Sequence, residues 1–178
     1  MNLLALSGSL RAASSNQRAL DAIALLAPDG VTIERAPAID SLPFFNPDVE
    51  QSALPPAIVH WRARIAQCDA LIVSSPEYAH GVPGALKNAL DWLVGGIEII
   101  GKPIALVNAT PPAEYSHAQL RETLRVMGGA IVDDACITLP LRGRSTRAED
   151  IAKDEEMAKA IRGMFAAIAG VRHQERRP

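Results

Sequence analysis

At 178 residues the chain is long enough for one domain with a full core and short for two. Apolar residues make up 48% and charged residues 21%, the composition of an ordinary globular protein rather than a disordered or fibrous one. A net charge of −2 removes the electrostatic reason to expect nucleic acid or an anionic membrane as a partner.

Residues 2–7 read as a fully buried strand, apolar throughout and stopped by Gly8. From Asn16 onward, Ala19, Leu20, Ile23, Leu26 and Ala27 recur at a three-four spacing, so a helix with one apolar face follows. Pro28-Asp29-Gly30 ends it. Val31, Ile33 and Ala36 then alternate with polar residues, as in a more exposed second strand. Residues 37–56 hold Pro37, Pro43, Pro47, Pro55 and Pro56, a density expected to block both helix and central strand. Leu42, Phe44 and Phe45 lie in the same segment and are costly to leave in water. The segment is therefore expected to pack on its own domain, a ligand or a second subunit.

A helix is expected from about Pro56, with Ile58, Trp61, Ile65 and Cys68 on one face, followed by a second buried strand over 69–75. The loop 76–84 leads into a helix whose Ala85, Leu86, Ala89, Leu90, Leu93 and Val94 face inward. Another strand covers 104–107. A helix over 116–127 carries Leu120, Leu124 and Met127, and Gly128-Gly129 stop it. Residues 130–132 and 137–139 supply a last strand region, and a final helix over about 148–169 buries Ile151, Ala158, Ile161, Phe165 and Ile168. Five apolar strands alternating with five helices imply an α/β fold with a parallel sheet covered on both faces. The reading is a flavodoxin-like three-layer sandwich with strand order 2-1-3-4-5. One domain is expected over 1–178, with about 170–178, including the basic run 172–177, as a flexible tail.

Cys68 and Cys136 are too few and too scattered for a disulfide framework or a metal site, and both read as buried small hydrophobes. No apolar run approaches the ~18 residues of a membrane span. The apolar N-terminus lacks a basic leader and is too short for a signal peptide. A reducing, cytoplasmic setting is the expectation.

The first and third strands end in the two most distinctive loops, and in this strand order they are neighbours beside the crevice where such sheets bind ligands. Ser7-Gly8-Ser9-Leu10-Arg11-Ala12-Ala13-Ser14-Ser15-Asn16 joins a strand, a polar turn and a helix N-terminus, which together build an anion site. Ser9, Ser14, Ser15 and Asn16 add side-chain donors, and Arg11 adds a charge that suits phosphate. The loop has neither G-x-x-x-x-G-K-[ST] nor G-x-G-x-x-G, so a single terminal phosphate fits it best. A Ser/Asn-rich helix cap is the alternative. In the second loop Pro76 restricts Ser75, while Gly81 and Gly84 allow close backbone approach to a flat ligand. Tyr78 and His80 offer planar faces, His80 being otherwise a solvated loop residue. Backbone N–H groups of Glu77, Tyr78 and His80 could meet ring carbonyls and nitrogens, and Glu77 is alternatively a lone general base. A phosphate in one loop and a heteroaromatic ring against the other describe a mononucleotide such as FMN.

Gly8-Ser9-Leu10-Arg11 with Ser14 and Asn16, then Pro76-Glu77-Tyr78 with Gly81, Pro83-Gly84, Leu86-Lys87-Asn88-Ala89 and Asp91-Trp92, resemble the NADPH-dependent FMN reductases, the flavodoxin-like group that includes bacterial chromate and quinone reductases. Leu42-Pro43-Phe44-Phe45-Asn46-Pro47-Asp48 is similar to the family's segment after the second strand. The resemblance covers the first two strand-loop-helix units and reaches the last third through architecture alone. It implies that Ser9, Arg11, Ser14 or Ser15, Asn16 and Gln17 surround the FMN phosphate. It also implies that Pro76, Glu77, Tyr78 and Gly81 lie against the isoalloxazine ring, with His80 and Thr110 as further contacts. Two departures stand out. Ala79 occupies a position where the family often has asparagine, and the loop Asn108-Ala109-Thr110-Pro111-Pro112 is proline-rich where the family has glycine and serine.

The resemblance further implies bound FMN, NADPH or NADH as hydride donor to flavin N5, and a small quinone, azo, nitro or chromate-type acceptor, with no side chain acting as nucleophile. It implies a homodimer or homotetramer, with Leu42, Phe44, Phe45 and the helix carrying Lys87, Asp91 and Trp92 as candidate interface elements. Two other classes stay open. One is a non-enzymatic flavin electron carrier, against which the weak net charge speaks; the other is a flavin-free phosphate-binding or regulatory module, which the altered 108–112 loop favours.

Overall fold

Along the chain come β1 (Asn2–Ser7), α1 (Ser15–Leu25), β2 (Thr32–Arg35), α2 (Pro47–Ser52), α3 (Pro56–Gln67), β3 (Ala70–Ser74), α4 (Gly84–Asp91), β4 (Pro103–Asn108), α5 (Glu114–Val126), β5 (Ala130–Ile131), β6 (Ile137–Thr138), α6 (Ala148–Lys153) and α7 (Glu155–Glu175). The computed structural model describes residues 1–141 and 146–175. All strand pairs are parallel, in the order β2-β1-β3-β4-β5.

The side-chain period of two divides the strand residues between two cores. Leu4, Leu6, Leu71, Val73, Ile104 and Leu106 pack with Ile58, Trp61 and Ile65 of α3, Leu86 and Leu90 of α4, and Leu120 and Leu124 of α5. Leu3, Ala5, Ala70, Ile72, Ala105 and Val107 pack with Ala19, Leu20 and Ile23 of α1, Ile151 of α6, and Ile161, Phe165 and Ile168 of α7. With both faces covered, the inner strands have no polar side and read as continuous apolar runs. The expected flavodoxin-like sandwich is the observed one.

Several elements differ from the sequence expectation. The fifth strand position is split: Ala130–Ile131 pairs with the start of β4 and Ile137–Thr138 with its end, while a 3-10 turn at Asp133–Ala135 steps between them. The proline-dense segment does hold a helix, α2, because Pro47 sits in its first turn, where a missing N–H costs nothing, and Asn46 caps it. The long C-terminal helix is two, because Asp154 leaves helical geometry (ψ 122°) and accepts the Met157 N–H at 2.9 Å, starting α7 afresh. That helix runs to Glu175, so residues 170–175, expected in a loose tail, are helical, and 176–178 lie outside the described residues. Val94, expected inward, is exposed, since α4 ends at Asp91. Cys68 is buried as expected, and burial pushes its thiol pKa up, whereas Cys136 is half-buried.

The segment after β2 is tied to α4. Pro43 O accepts from Trp92 Nε1 at 2.8 Å and from Asn88 Nδ2 at 3.0 Å, and Asn88 Oδ1 accepts the Phe45 N–H at 2.8 Å. Phe45 meets Trp92 edge-on at 5.1 Å. Leu42 and Trp92 therefore belong to the monomer core, and Phe44, 90% exposed, is the one aromatic of this segment turned to solvent.

Candidate functional site

The loops after β1, β3 and β4 leave the carboxyl edge of three adjacent strands. Gly8 crosses the end of β3, donating its N–H to Ser74 O at 2.8 Å. A Cβ at Gly8 would stand 2.9 Å from both Leu86 Cδ2 and Ser75 Oγ, so this glycine is set by the close approach of the first loop to the second. Gly81 and Gly84, expected to make room for a ligand, do not share this crowding: an added Cβ meets nothing nearer than 3.6 Å at Gly81 and nothing within 4 Å at Gly84.

In the first loop Ser14 is the N-cap of α1 and accepts the Asn16 N–H at 3.2 Å. Asn16 Oδ1 accepts from Ser74 Oγ at 2.9 Å, and Ser74 Oγ also reaches Val107 O at 3.2 Å, so the start of α1 and the ends of β3 and β4 meet at one buried hydroxyl. Ser14 and Asn16 are buried; Ser9, Ser15 and Gln17 are half-buried and Arg11 is exposed. Ser9, Arg11 and Gln17 line a cavity of about 340 Å³ that continues towards Arg35 and Asp40. Residues 7–18 include no carboxylate, and the first turn of α1 carries none. A donor set of hydroxyls, an amide, a guanidinium and helix N–H groups fits a phosphate dianion. The FMN phosphate fits this loop by that chemistry.

The second loop is a strained hairpin. Tyr78 N–H donates to Gly81 O at 3.1 Å and Gly81 N–H to Tyr78 O at 2.9 Å, closing a two-residue turn at Ala79 and His80. Both have positive φ, 49° and 59°. This is the turn type that favours asparagine and glycine. The Tyr78 N–H is thereby used within the loop, which corrects the expectation that it faces a ring; those of Glu77 and His80 stay outside the hairpin's hydrogen bonds. Ala79→Asn, which restores an αL-tolerant residue, is expected to raise unfolding free energy by up to about 1 kcal/mol in urea titrations.

Three contacts from α5 hold this loop. Glu77 Oε2 accepts the Ser116 N–H at 2.9 Å, His80 stacks on Tyr115 with centroids 4.3 Å apart, and Val82 N–H donates to Gln119 Oε1 at 2.8 Å. Glu77 thus caps a helix whose own N-cap, Ala113, has no side chain for the task. In the third loop Thr110 is exposed, and its N–H is turned back to Asn108 Oδ1 at 3.2 Å. A reading of the sequence does not reach Tyr115, Ser116, Gln119 and Ser74, which hold these loops in place. The one signal available was the uncapped start of α5, which some carboxylate had to meet.

Two residues further along α5, His117 Nε2 lies buried with no hydrogen-bond partner among the described residues. Burial pushes its pKa below the usual histidine range; the Arg121 charge adds to this and the Glu77 carboxylate opposes it. The unfolded chain then binds the proton first as pH falls, so stability is retained above about 6.5 and lost below it. Urea unfolding at pH 7.5 and 5.5 is expected to show this loss, at most about 1.4 kcal/mol per pH unit, and His117→Gln is expected to reduce it.

A parallel sheet between two helix layers, with a carboxylate-free loop at a helix N-terminus beside a hairpin at the next strand, places the chain in the flavodoxin-like class. The family model described as NADPH-dependent FMN reductase matches residues 1–141, and the chain belongs to that family of oxidoreductases. It is 39% identical over 132 residues to the NAD(P)H-dependent FMN reductase PA1204 of Pseudomonas aeruginosa, covering 70% of this chain and 69% of that protein. It is 35% identical over 109 residues to the quinone reductase of Escherichia coli K12, covering 60% of this chain and 58% of that one. Among solved structures it is similar to FerB, a flavoenzyme NAD(P)H:(acceptor) oxidoreductase from Paracoccus denitrificans, with TM-score 0.78, 26% identity, and 94% and 95% of the two chains covered. FMN and NADPH are the cofactor and donor that the family's name states. Among the described residues no helix is long and apolar enough to cross a membrane.

Proposed function

We propose that this chain is an FMN-binding, NAD(P)H-dependent reductase of small acceptors, quinones first and azo, nitro or chromate-type compounds as further candidates. The observation that carries the reading is the pairing of a carboxylate-free anion loop after β1 with a tethered hairpin after the adjacent β3. Ser9, Arg11, Ser15 and Gln17, with the N–H groups of the first turn of α1, are assigned to the FMN phosphate. Ser14 and Asn16 shape that turn from its buried side. Pro76, Glu77, Tyr78, His80 and Gly81 are assigned to the ring side, and Thr110 to its far edge. FMN held by these residues would supply the redox chemistry between an NADPH or NADH hydride donor and the acceptor. The protein's part is to bind, orient and set the polarity around the ring, and the N–H groups of Glu77 and His80, which lie outside the hairpin's hydrogen bonds, would suit negative charge there.

The reading includes a single FMN-binding domain over 1–178, a cytoplasmic location and a homodimer or homotetramer. Exposed Phe44 supports the last point as an apolar anchor left without a partner in the monomer. The test is a visible spectrum of the purified protein with and without NADPH. Flavin bands that bleach on NADPH addition are the expected result. Bands that persist point to an electron carrier, and a colourless protein that takes up no added FMN overturns the reading in favour of a flavin-free module.

A further inference from the structure

The hairpin at 78–81 holds two non-glycine residues at positive φ, a conformation that persists where surrounding contacts hold it. Its own two hydrogen bonds close the turn but do not fix where the turn stands over the sheet edge. Its ends are fixed by β3 and α4, and Val82 packs on the core. The contacts made along the loop from 77 to 82 by another element's side chains and N–H groups come from one helix. The first two turns of α5 contact the loop before the turn through Ser116 N–H to Glu77, at the turn through Tyr115 against His80, and after it through Gln119 to Val82. The three contacts span the loop from 77 to 82, and all come from residues 115–119. Tyr115 is 61% exposed and Tyr78 51%, so the clamp stands at the solvent edge of the site rather than in the core.

We propose that Tyr115, Ser116 and Gln119 are positioning residues for the flavin ring, acting through Glu77, His80 and Val82 to hold the 76–84 loop where it receives the isoalloxazine. This rests on the flavin reading above. Its consequence is a division of labour between the two ends of the cofactor. The phosphate end depends on the first loop and α1, whereas the ring end depends on a helix that begins after the third loop. The same helix follows the third loop in the chain and contacts the second.

The experiment compares Tyr115→Ala/Gln119→Ala with Tyr115→Phe/Gln119→Glu, which keeps a stacking ring and an oxygen acceptor. Affinities for FMN and for riboflavin, which lacks the phosphate, are read by flavin fluorescence quenching, and inorganic phosphate is used as competitor for the anion loop. The alanine pair is expected to weaken FMN and riboflavin by the same factor, about ten-fold, through loss of one neutral hydrogen bond and one aromatic pair. It is also expected to shift the flavin absorption maximum and leave phosphate competition unchanged. The Phe/Glu pair is expected to restore ring affinity. Wild-type flavin affinity in the alanine pair, or an equal loss of flavin and phosphate binding together with a lowered melting temperature, overturns the proposal. Amide hydrogen exchange on the flavin-free protein separates this from the functional reading. If the wild type binds no flavin, that reading fails, yet faster exchange at Val82 and Gly81 in the alanine pair still supports the clamp and unchanged exchange overturns it.

Discussion

Gly8→Val is expected to lower the unfolding free energy by about 1–3 kcal/mol and FMN affinity by about ten-fold or more. The Cβ alone falls 2.9 Å from Leu86 Cδ2 and from Ser75 Oγ, and 3.2 Å from Ser75 Cβ, and valine adds two methyl groups beyond it. Leu86 is fully buried and Ser75 nearly so, so neither can swing into solvent. The strain is relieved by lifting the first loop off β3, which stretches the Gly8 N–H to Ser74 O bond and shifts the donors that follow it. Urea unfolding and FMN titration measure the two losses. Gly84→Ala is the control, since nothing stands within 4 Å of the added methyl. Stability unchanged in Gly84→Ala and lost in Gly8→Val is the expected pattern. Equal stability of the two variants would show that the loops do not pack as described.

Arg11→Ala is expected to leave stability within about 0.5 kcal/mol, because the side chain is exposed and joins no ion pair among the described residues. FMN affinity is expected to fall by about 1.5–3 kcal/mol, roughly 10- to 150-fold, the range for a hydrogen bond to a charged group. Riboflavin, which has no phosphate, should bind the variant and the wild type alike. An equal loss for both flavins would place Arg11 near the ring instead. Gly8→Val and Arg11→Ala thus act on one loop by different physics, backbone position in the first and a single charge in the second.

The two loops differ in how much of each is set by local sequence. The first loop's chemistry was legible because it depends on residue types in one continuous stretch: hydroxyls, an arginine and a helix start. The hairpin was less so. Gly81 and Gly84 mark the loop in the sequence, but the positive-φ positions are Ala79 and His80, which carry no glycine signal. Asn16 read as a phosphate donor, while its Oδ1 is committed to Ser74, a residue 58 positions away. Glu77 could be weighed as a base or a ring neighbour, yet its carboxylate caps a helix that starts 37 residues later.

By itself the sequence determined the parallel sheet, its two buried faces, the adjacency of the first and third loops, and the carboxylate-free, donor-rich composition of the first. Each follows from periodicity, from residue types in one stretch or from the strand order common to such sheets, which act over a few residues or over all sheets of the class alike. Only the tertiary structure decided which groups are already committed: Asn16 to Ser74, Trp92 to Pro43, Glu77 and Val82 to α5. It also decided the break at Asp154 and the split of the last strand. The physical reason is that a hydrogen bond between distant segments depends on how both are packed, and a donor or acceptor in the chain looks the same whether its partner is a ligand, water or another loop.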